Sequence, residues 1–577
     1  MVATPHKGGW RNIILHGLAG VWAMLLPLGC MTPEKADRQA SDAGTRLATA
    51  YWQTQTGRTN AFDVTRPSDA LTLRLALMAM AQGEENIALP EIPNVTALIT
   101  NDVWRLSLVD ALNIAARNDR QYQRMKEDIF KEALDLDSQQ FLFETSFTGL
   151  LLGLLSGDTE TRDSQMATGS AGAGFQRTFE NGATIAGQLA LDVAHLLRND
   201  WRSIGLTGDL TMTIPLMRGS GRDVVREPLT QAERDLMYAI RRFEHYRQTY
   251  AVTVASGYFS VLLSAQTLRN QEDNETFLHD NNKRAEMMFE EARMGSIEAD
   301  QARSDLLSAS EGVVSAKRTY EERLDTFKLT IGLPPESLIE LDIQELEILK
   351  HEVEQAAQDG TGGERMFPDE PDACAIALES RLDLFNIRDA LGDAERGLKV
   401  AADALRADVA LTGSAQADQV RVSGDNGFSG KESWGAGLKV DLPWNRRRER
   451  NEYKRQMIVI EQAKRNIEET EDNIKAAVRN GLRKLSAAEA SYKIQVTAVR
   501  VAERRVQSNS LFMEQGLSTM RDVLDARSTL LRVQNSLYEA VIRWRISELE
   551  LRRDMGTLAI SETGLWQPLE ESGEQNG

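Results

Sequence analysis

Ser203-Ile-Gly-Leu-Thr-Gly-Asp-Leu-Thr-Met-Thr-Ile-Pro-Leu216 alternates small or apolar residues with polar ones, the period of a strand with one apolar and one wet face. A basic turn follows (Arg218, Arg222), and then the helix breakers nearly vanish. Between Asp223 and Arg293 only Pro228 and Gly257 interrupt the chain. After Met294-Gly295-Ser296-Ile297 a return stretch runs to Leu329-Thr330-Ile331-Gly332-Leu333. The same order recurs later. Val440-Asp441-Leu442-Pro443-Trp444 leads to Arg446-Arg447-Arg448, a long stretch reaches Gln515-Gly516-Leu517-Ser518, and the return ends at Asp554-Met555-Gly556-Thr557-Leu558. Pro215 and Pro443 are 228 positions apart, Gly295 and Gly516 are 221, and Gly332 and Gly556 are 224. Near-constant offsets at three landmarks mark an internal duplication of a strand followed by a long helical hairpin.

The length of these stretches sets the dimensions. About 70 helical residues at 1.5 Å each span roughly 100 Å. Val478, Leu485, Tyr492, Val499 and Val506 recur every seven residues, as do Ile460, Ile467 and Ile474, which is a coiled-coil seam. The return arms Glu298–Thr330 and Thr519–Met555 are shorter, so Leu106–Leu134 and Asp372–Leu405 are the partners expected to stack beside them. Strands are expected at Phe141–Leu152, Ser203–Leu216, Ala407–Ala415 and Trp434–Leu442. Aligning Asp110 with Asp372 gives an offset of 262. Repeat one therefore carries a surplus of about 34 residues relative to the proline offset, and the surplus falls where Gly172 to Leu196 reads as an additional hairpin turning at Asn181-Gly182. Whether that hairpin lies outside the membrane or in the wall of a barrel is open at this point. Four strands per chain cannot enclose a channel, whereas an oligomer can.

A net charge of −19 excludes an extended nucleic-acid surface, and a mean hydropathy of −0.37 leaves no room for several membrane-spanning helices. His195, His245, His279 and His351 stand apart from one another, and no G-x-S-x-G, P-loop or C-x-x-C is present. Neither a catalytic site, a metal site nor a cofactor is expected. The second cysteine, Cys374, sits among small apolar residues and reads as a core filler. At the N-terminus Lys7 and Arg11 precede an apolar run from Ile13 to Leu28, the marks of a secretory signal. On these residues alone an ordinary signal peptide or an uncleaved anchor would also fit. Leu26-Pro27-Leu28-Gly29-Cys30 resembles a bacterial lipoprotein processing site, which implies lipidation of Cys30, with Met31 next to it favouring the outer membrane.

The organisation expected is therefore a signal over 1–29, a periplasmic connector over 30–102, a first repeat over 103–335, a linker over 336–369, a second repeat over 370–560 and a tail over 561–577. Three motifs give this plan a likeness. Leu106-Ser107-Leu108-Val109-Asp110-Ala111-Leu112, Ile214-Pro215-Leu216-Met217-Arg218-Gly219 and Gly516-Leu517-Ser518-Thr519-Met520-Arg521-Asp522-Val523-Leu524-Asp525-Ala526 resemble the repeat opening, strand-to-helix junction and second tip of the TolC-type outer-membrane efflux protein family. The resemblance implies a mainly α fold with a β-barrel portion: a homotrimer giving four strands per subunit to one twelve-stranded barrel, continued by an α-helical periplasmic tunnel. It also implies an exit duct that works with a periplasmic adaptor protein and an inner-membrane pump or ABC exporter. A structural coiled-coil envelope lipoprotein is the alternative, though it needs neither alternating strands nor duplicated tips.

Two sets of residues carry the expected sites. Asp522 and Asp525 lie at i and i+3 on one helix face. On spacing alone that is an ordinary solvated face. By resemblance they are a periplasmic gate of carboxylates that repel one another and attract cations, with Arg521 a candidate closing partner. The tips Gly295, Ser296, Ile297 and Gly516, Leu517, Ser518 would by resemblance contact the adaptor, although a turn can need glycine for its own sake.

Overall fold

The structure, a computed structural model, describes residues 31–64, 68–82, 98–100, 103–156, 166–196, 202–359, 367–422, 429–442, 444–515 and 517–560. In chain order these form α1 (Pro33–Thr56), α2 (Ser68–Ala81), β1 (Leu98–Thr100), β2 (Val103–Leu106), α3 (Leu108–Asn118), α4 (Arg120–Phe141), β3 (Ser146–Ser156), β4 (Met166–Thr178), β5 (Thr184–Leu196), β6 (Arg202–Pro215), α5 (Arg222–Val225), α6 (Glu227–Glu290) and α7 (Ser296–Thr330). The second half continues with β7 (Ile339–Leu341), α8 (Gln344–Asp359), α9 (Glu370–Ser380), α10 (Leu382–Asp403), β8 (Asp408–Val422), β9 (Ser429–Asp441), α11 (Arg447–Glu514) and α12 (Met520–Asp554).

The duplication is visible in the helix lengths. α3 and α9 have 11 residues, α4 and α10 have 22, and α7 and α12 have 35. The long arms α6 and α11 have 64 and 68 residues, ~96 Å and ~102 Å at the usual rise. The stacking partners of the return arms are each broken by one residue rather than continuous, at Asp119 and Arg381. The repeat-ending glycines explain the break. Gly332 and Gly556 take left-handed φ angles of 78° and 71°, which only glycine adopts without strain. A methyl group at Gly332 would sit 2.6 Å from the Asn118 carbonyl oxygen, and one at Gly556 would sit 3.0 Å from that of Ser380. The end of each return arm is thus packed backbone-to-backbone against the kink between its two short helices.

The core follows the expected seam. Val478 and Leu485 are fully buried, and the Tyr492 ring lies 5.3 Å from that of Trp544 on α12. Val499, Val506, Ile460 and Ile467 are only half-buried, so the seam is tight in the middle and loosens toward both ends. In the first repeat Tyr258, Phe327, Leu106 and Ile114 close the matching layer. The apolar window of α6, mean hydropathy 1.3, is half buried in this layer and is a core segment. The stretch expected to be a connector is more than that. Trp52 and Phe62 join Ile129, Leu136, Leu236 and Phe243 in a second cluster, and the Arg58 guanidinium forks onto Glu244 at 3.1 and 3.4 Å. The linker region likewise forms β7, paired parallel to β2, and α8.

The strands correct one expectation. All six of β3, β4, β5, β6, β8 and β9 lie side by side in that order in one antiparallel sheet, where four per subunit were expected. The surplus hairpin is β4–β5, and it belongs to the sheet: β4 pairs with β3 from Met166 to Gln176, and β5 pairs with β6 from Thr184 to His195. Phe141 ends α4, so the first strand starts at Ser146 rather than at Phe141. In the single chain the sheet is open, with β3 and β9 as its edges.

Register decides what each face presents. Ile185 pairs with Met212, which pairs with Gly413, and Leu189 pairs with Ala173 and Gly208. Leu411 pairs with Leu438, and Ala415 with Trp434. These positions share one face, from which Phe147 and Trp434 project at 81% and 85% exposure. The opposite face carries Gln188 across from Asp209, Asp209 across from Gln416 and Gln416 across from Ser433. An apolar face with large exposed side chains backed by a polar face is the alternation of a membrane barrel wall. β3 departs from it, since Leu150, Leu152 and Leu154 fall on the polar side.

Candidate functional site

The candidate site is the far end of the two helical hairpins. At the first tip α6 ends in a left-handed turn, but the residue that adopts it is Ala292, with φ 56°. Gly295 is extended, φ −73° and ψ 151°, and serves as the N-cap of α7 without a side chain to cap it. The turn therefore makes no conformational demand for glycine at 295, and open space surrounds its α-carbon. Ser296 begins the helix and Ile297 projects into solvent at 84% exposure. Met287, Met288 and Phe289, on the last turn of α6, are exposed as well. Periodicity alone had not marked them, because a helix end breaks the seam that would have sorted them into a face.

The second tip is built differently. Gly516 lies outside the described residues, while Leu517 is 74% exposed beside exposed Leu511 and Phe512. Thr519 caps α12 in a reciprocal box. The Thr519 N–H donates to the Asp522 carboxylate at 2.9 Å, the Thr519 hydroxyl donates to it at 2.6 Å, and the Asp522 N–H donates back to that hydroxyl at 3.3 Å. Ser518 adds a weaker hydroxyl donor at 3.3 Å. The signal was present as Thr519-Met-Arg-Asp522, the capping-box spacing just before an apolar run.

Asp522 and Asp525 do share the exposed side of α12, with Val523 and Ala526 buried against the hairpin. Their surroundings differ. The Thr519 hydroxyl and N–H hold the Asp522 carboxyl below its ordinary pKa, with the Arg505 charge on α11 helping. Among the described residues the Asp525 carboxylate accepts no hydrogen bond, and Arg521 makes no ion pair. The start of α12 is tied down by Asn509, whose amide donates to the Asp522 carbonyl at 3.0 Å, and by Arg527 lying 4.5 Å from the Phe277 ring centre on α6. Cys30 and the tail 561–577 lie outside the described residues. Cys374 is a buried free thiol.

Residues 374–557, the second repeat nearly entire, match the family model described as outer membrane efflux protein. The second repeat is similar to an outer membrane efflux protein. Solved outer-membrane channel structures extend the likeness over most of the chain. CusC, studied for its folding and transmembrane channel formation, superposes with a TM-score of 0.55 at 14% identity, over 86% of this chain and 98% of its own. The outer membrane protein VceC of Vibrio cholerae gives 0.55 at 13%, over 78% and 96%. The CmeC outer membrane channel of Campylobacter jejuni gives 0.54 at 13%, over 82% and 94%. Identities this low establish the shared fold, with its sheet above long helical hairpins, and nothing finer. No curated protein matches this chain.

Proposed function

We propose that this efflux-family chain is the outer-membrane exit duct of a tripartite efflux or type I secretion system, passing substrates from the periplasm or an inner-membrane pump to the exterior. One observation carries the reading: a sheet apolar on one face and polar on the other grows directly out of two ~100 Å helical hairpins. A coiled-coil spacer has no use for such a sheet. Three copies close the wall, because a lone open sheet cannot stand in lipid with unpaired edge amides and carbonyls. Cys30 carries the lipid anchor, and the helical part reaches into the periplasm. The tips Gly295, Ser296, Ile297 and Gly516, Leu517, Ser518 receive the hairpins of a periplasmic adaptor protein, itself bound to a pump or ABC exporter. The exposed Ile297, Met287, Phe289, Leu517 and Phe512 supply the apolar area such a contact buries.

Asp522 and Asp525 form the periplasmic gate, with Asp525 the freer charge and Asp522 fixed by its cap. The full-length protein in planar bilayers should show cation-selective single-channel currents, and its mass in mild detergent should be that of a trimer. A monomer without conductance would end the duct reading.

A further inference from the structure

We infer, on the basis of the trimeric duct, that the outer-membrane wall is an eighteen-stranded barrel, three copies of the six-stranded sheet, and is wider than a barrel of four strands per subunit would be. The β4–β5 hairpin is an integral part of that wall. Its ladders to β3 and β6 run nearly the full strand lengths, and its side chains obey the same division, Leu189 and Leu191 on the apolar face, Gln188 and Asp192 on the polar one. Lifted out of the sheet, both faces of the hairpin would stand in water.

Its inner turn is also built into the strand-to-helix junction. Gly182, φ 88°, leaves room for no side chain, since a methyl group there would meet the Gly219 carbonyl oxygen at 2.5 Å and the Pro215 ring at 2.9 Å. Glu180 pairs with Arg222 at 2.8 Å, on the short helix between β6 and α6. The hairpin therefore turns back at the level where the other strands enter helices. Four strands connect to the tunnel through α4, α6, α10 and α11, and two do not. The wall gains circumference without any added helix.

Parity makes the closure possible. A hairpin adds two strands, so β3 and β9 still run in opposite directions, and β9 of one protomer meets β3 of the next as an antiparallel pair. At strand spacings of ~4.8 Å and a tilt of ~40°, eighteen strands give a barrel ~36 Å across, against ~24 Å for twelve. Barrels of this strand number hold an open aqueous channel.

Electron cryomicroscopy of the full chain in mild detergent, with native mass measurement on the same sample, tests this directly. A trimeric mass with eighteen strands around the ring is expected. A trimer with twelve strands and the hairpin outside the wall would overturn the inference and leave the duct intact. A dimer, which closes at twelve strands, would overturn the inference together with the trimeric reading. Labelling gives an independent check on the neighbours Leu191 and Asp192. In reconstituted vesicles Leu191→Cys should react only with a bilayer-confined maleimide, and Asp192→Cys only with a water-soluble one. Reaction of both with the water-soluble reagent would overturn the inference. Deleting Met166–Leu196 joins β3 to β6 still antiparallel, and should lower the size cut-off for polyethylene glycols added from the outer side. An unchanged cut-off in a folded trimer would count against the wider wall.

Discussion

The first repeat places four strands between α4 and α6, and the second places two between α10 and α11, although the helices around them match at 11, 22 and 35 residues in each repeat. The contrast separates two kinds of constraint. Each helix is wedged between neighbours along its length, so an insertion would throw its seam out of phase. A strand contacts only the two strands beside it, and a whole hairpin preserves both direction and the alternation of faces. The sheet can grow in steps of two where the helical hairpins cannot grow at all.

The helical half of that contrast breaks most completely with proline in the long arms. Leu262 and Leu485 are both fully buried at corresponding heights in α6 and α11. Leu262→Pro and Leu485→Pro should each cost about 3 kcal/mol or more per subunit and abolish the oligomer, as read by mass in mild detergent. If only one of the pair did so, the two arms would not be equivalent supports.

Next in size come the repeat-ending glycines. Gly332→Val and Gly556→Val force a branched side chain into left-handed backbone and into the facing kink. The approach is closer in the first repeat, 2.6 Å against 3.0 Å. A loss of about 3 kcal/mol is expected for Gly332→Val and somewhat less for Gly556→Val, measured by urea unfolding of the helical signal. A larger loss at Gly556 would reverse the order that the packing sets.

The tips sharpen the comparison further, because only the second has a side-chain cap. Asp525→Asn should reduce cation-over-anion selectivity while leaving unfolding unchanged, since nothing described hangs on that carboxylate. Asp522→Asn should reduce selectivity too, and additionally loosen the start of α12, visible as faster amide exchange there. The pH dependence has a definite sign. A carboxyl held below its ordinary pKa of ~3.9 stays ionised through mild acid, so its cap is intact above that value and is lost as pH falls through the lower folded value. The Asp522 contribution to selectivity should therefore survive at pH 5 and fade below pH ~4. Loss already at pH 6 would mean that repulsion within the ring of carboxylates outweighs the cap.

Much of this was legible in the residues. The duplication, the helix lengths and the seam followed from offsets and periodicity, and the Asn181-Gly182 hairpin from turn chemistry. The strand number did not follow, because the residues gave four main strands and a separate hairpin, and whether that hairpin joins the sheet depends on pairing partners far apart in sequence. Gly295 looked like a turn glycine, yet Ala292 takes the strained angle, and composition cannot show which residue of a turn does so. Asp522 was read for its charge when its spacing from Thr519 already announced a cap. The role of Trp52 on α1 and of Phe62 just beyond it was hidden because a lone helix and its trailing segment carry no sign of which distant face they cover.

The smallest expected effect sits at the kinks, where the repeats solve one problem with opposite charges. Asp119 stands between α3 and α4 and caps α4 by accepting from the Tyr122 N–H at 2.7 Å, while also accepting from the Tyr246 hydroxyl at 3.1 Å. Its counterpart Arg381 has no acceptor to offer, and instead forks onto Asp383 at 2.6 and 2.9 Å while reaching the Asp554 carbonyl at 3.3 Å. That pairing holds the Asp383 carboxyl below its ordinary value despite burial. Asp119→Ala should cost about 1 kcal/mol, the usual worth of an N-cap, with the kink preserved by Gly332. Arg381→Ala leaves Asp383 half-buried without its guanidinium, so its carboxyl pKa should rise. In that variant any residual stabilisation from ionised Asp383 is lost at a higher pH than in the parent, since protonation begins sooner as pH falls. Unfolding midpoints at pH 4 and pH 7 measure the difference: the gap between parent and Arg381→Ala should be larger at pH 7, where the parent pair is fully charged. An equal gap at both values would assign Arg381 to the backbone contact with Asp554 rather than to the ion pair.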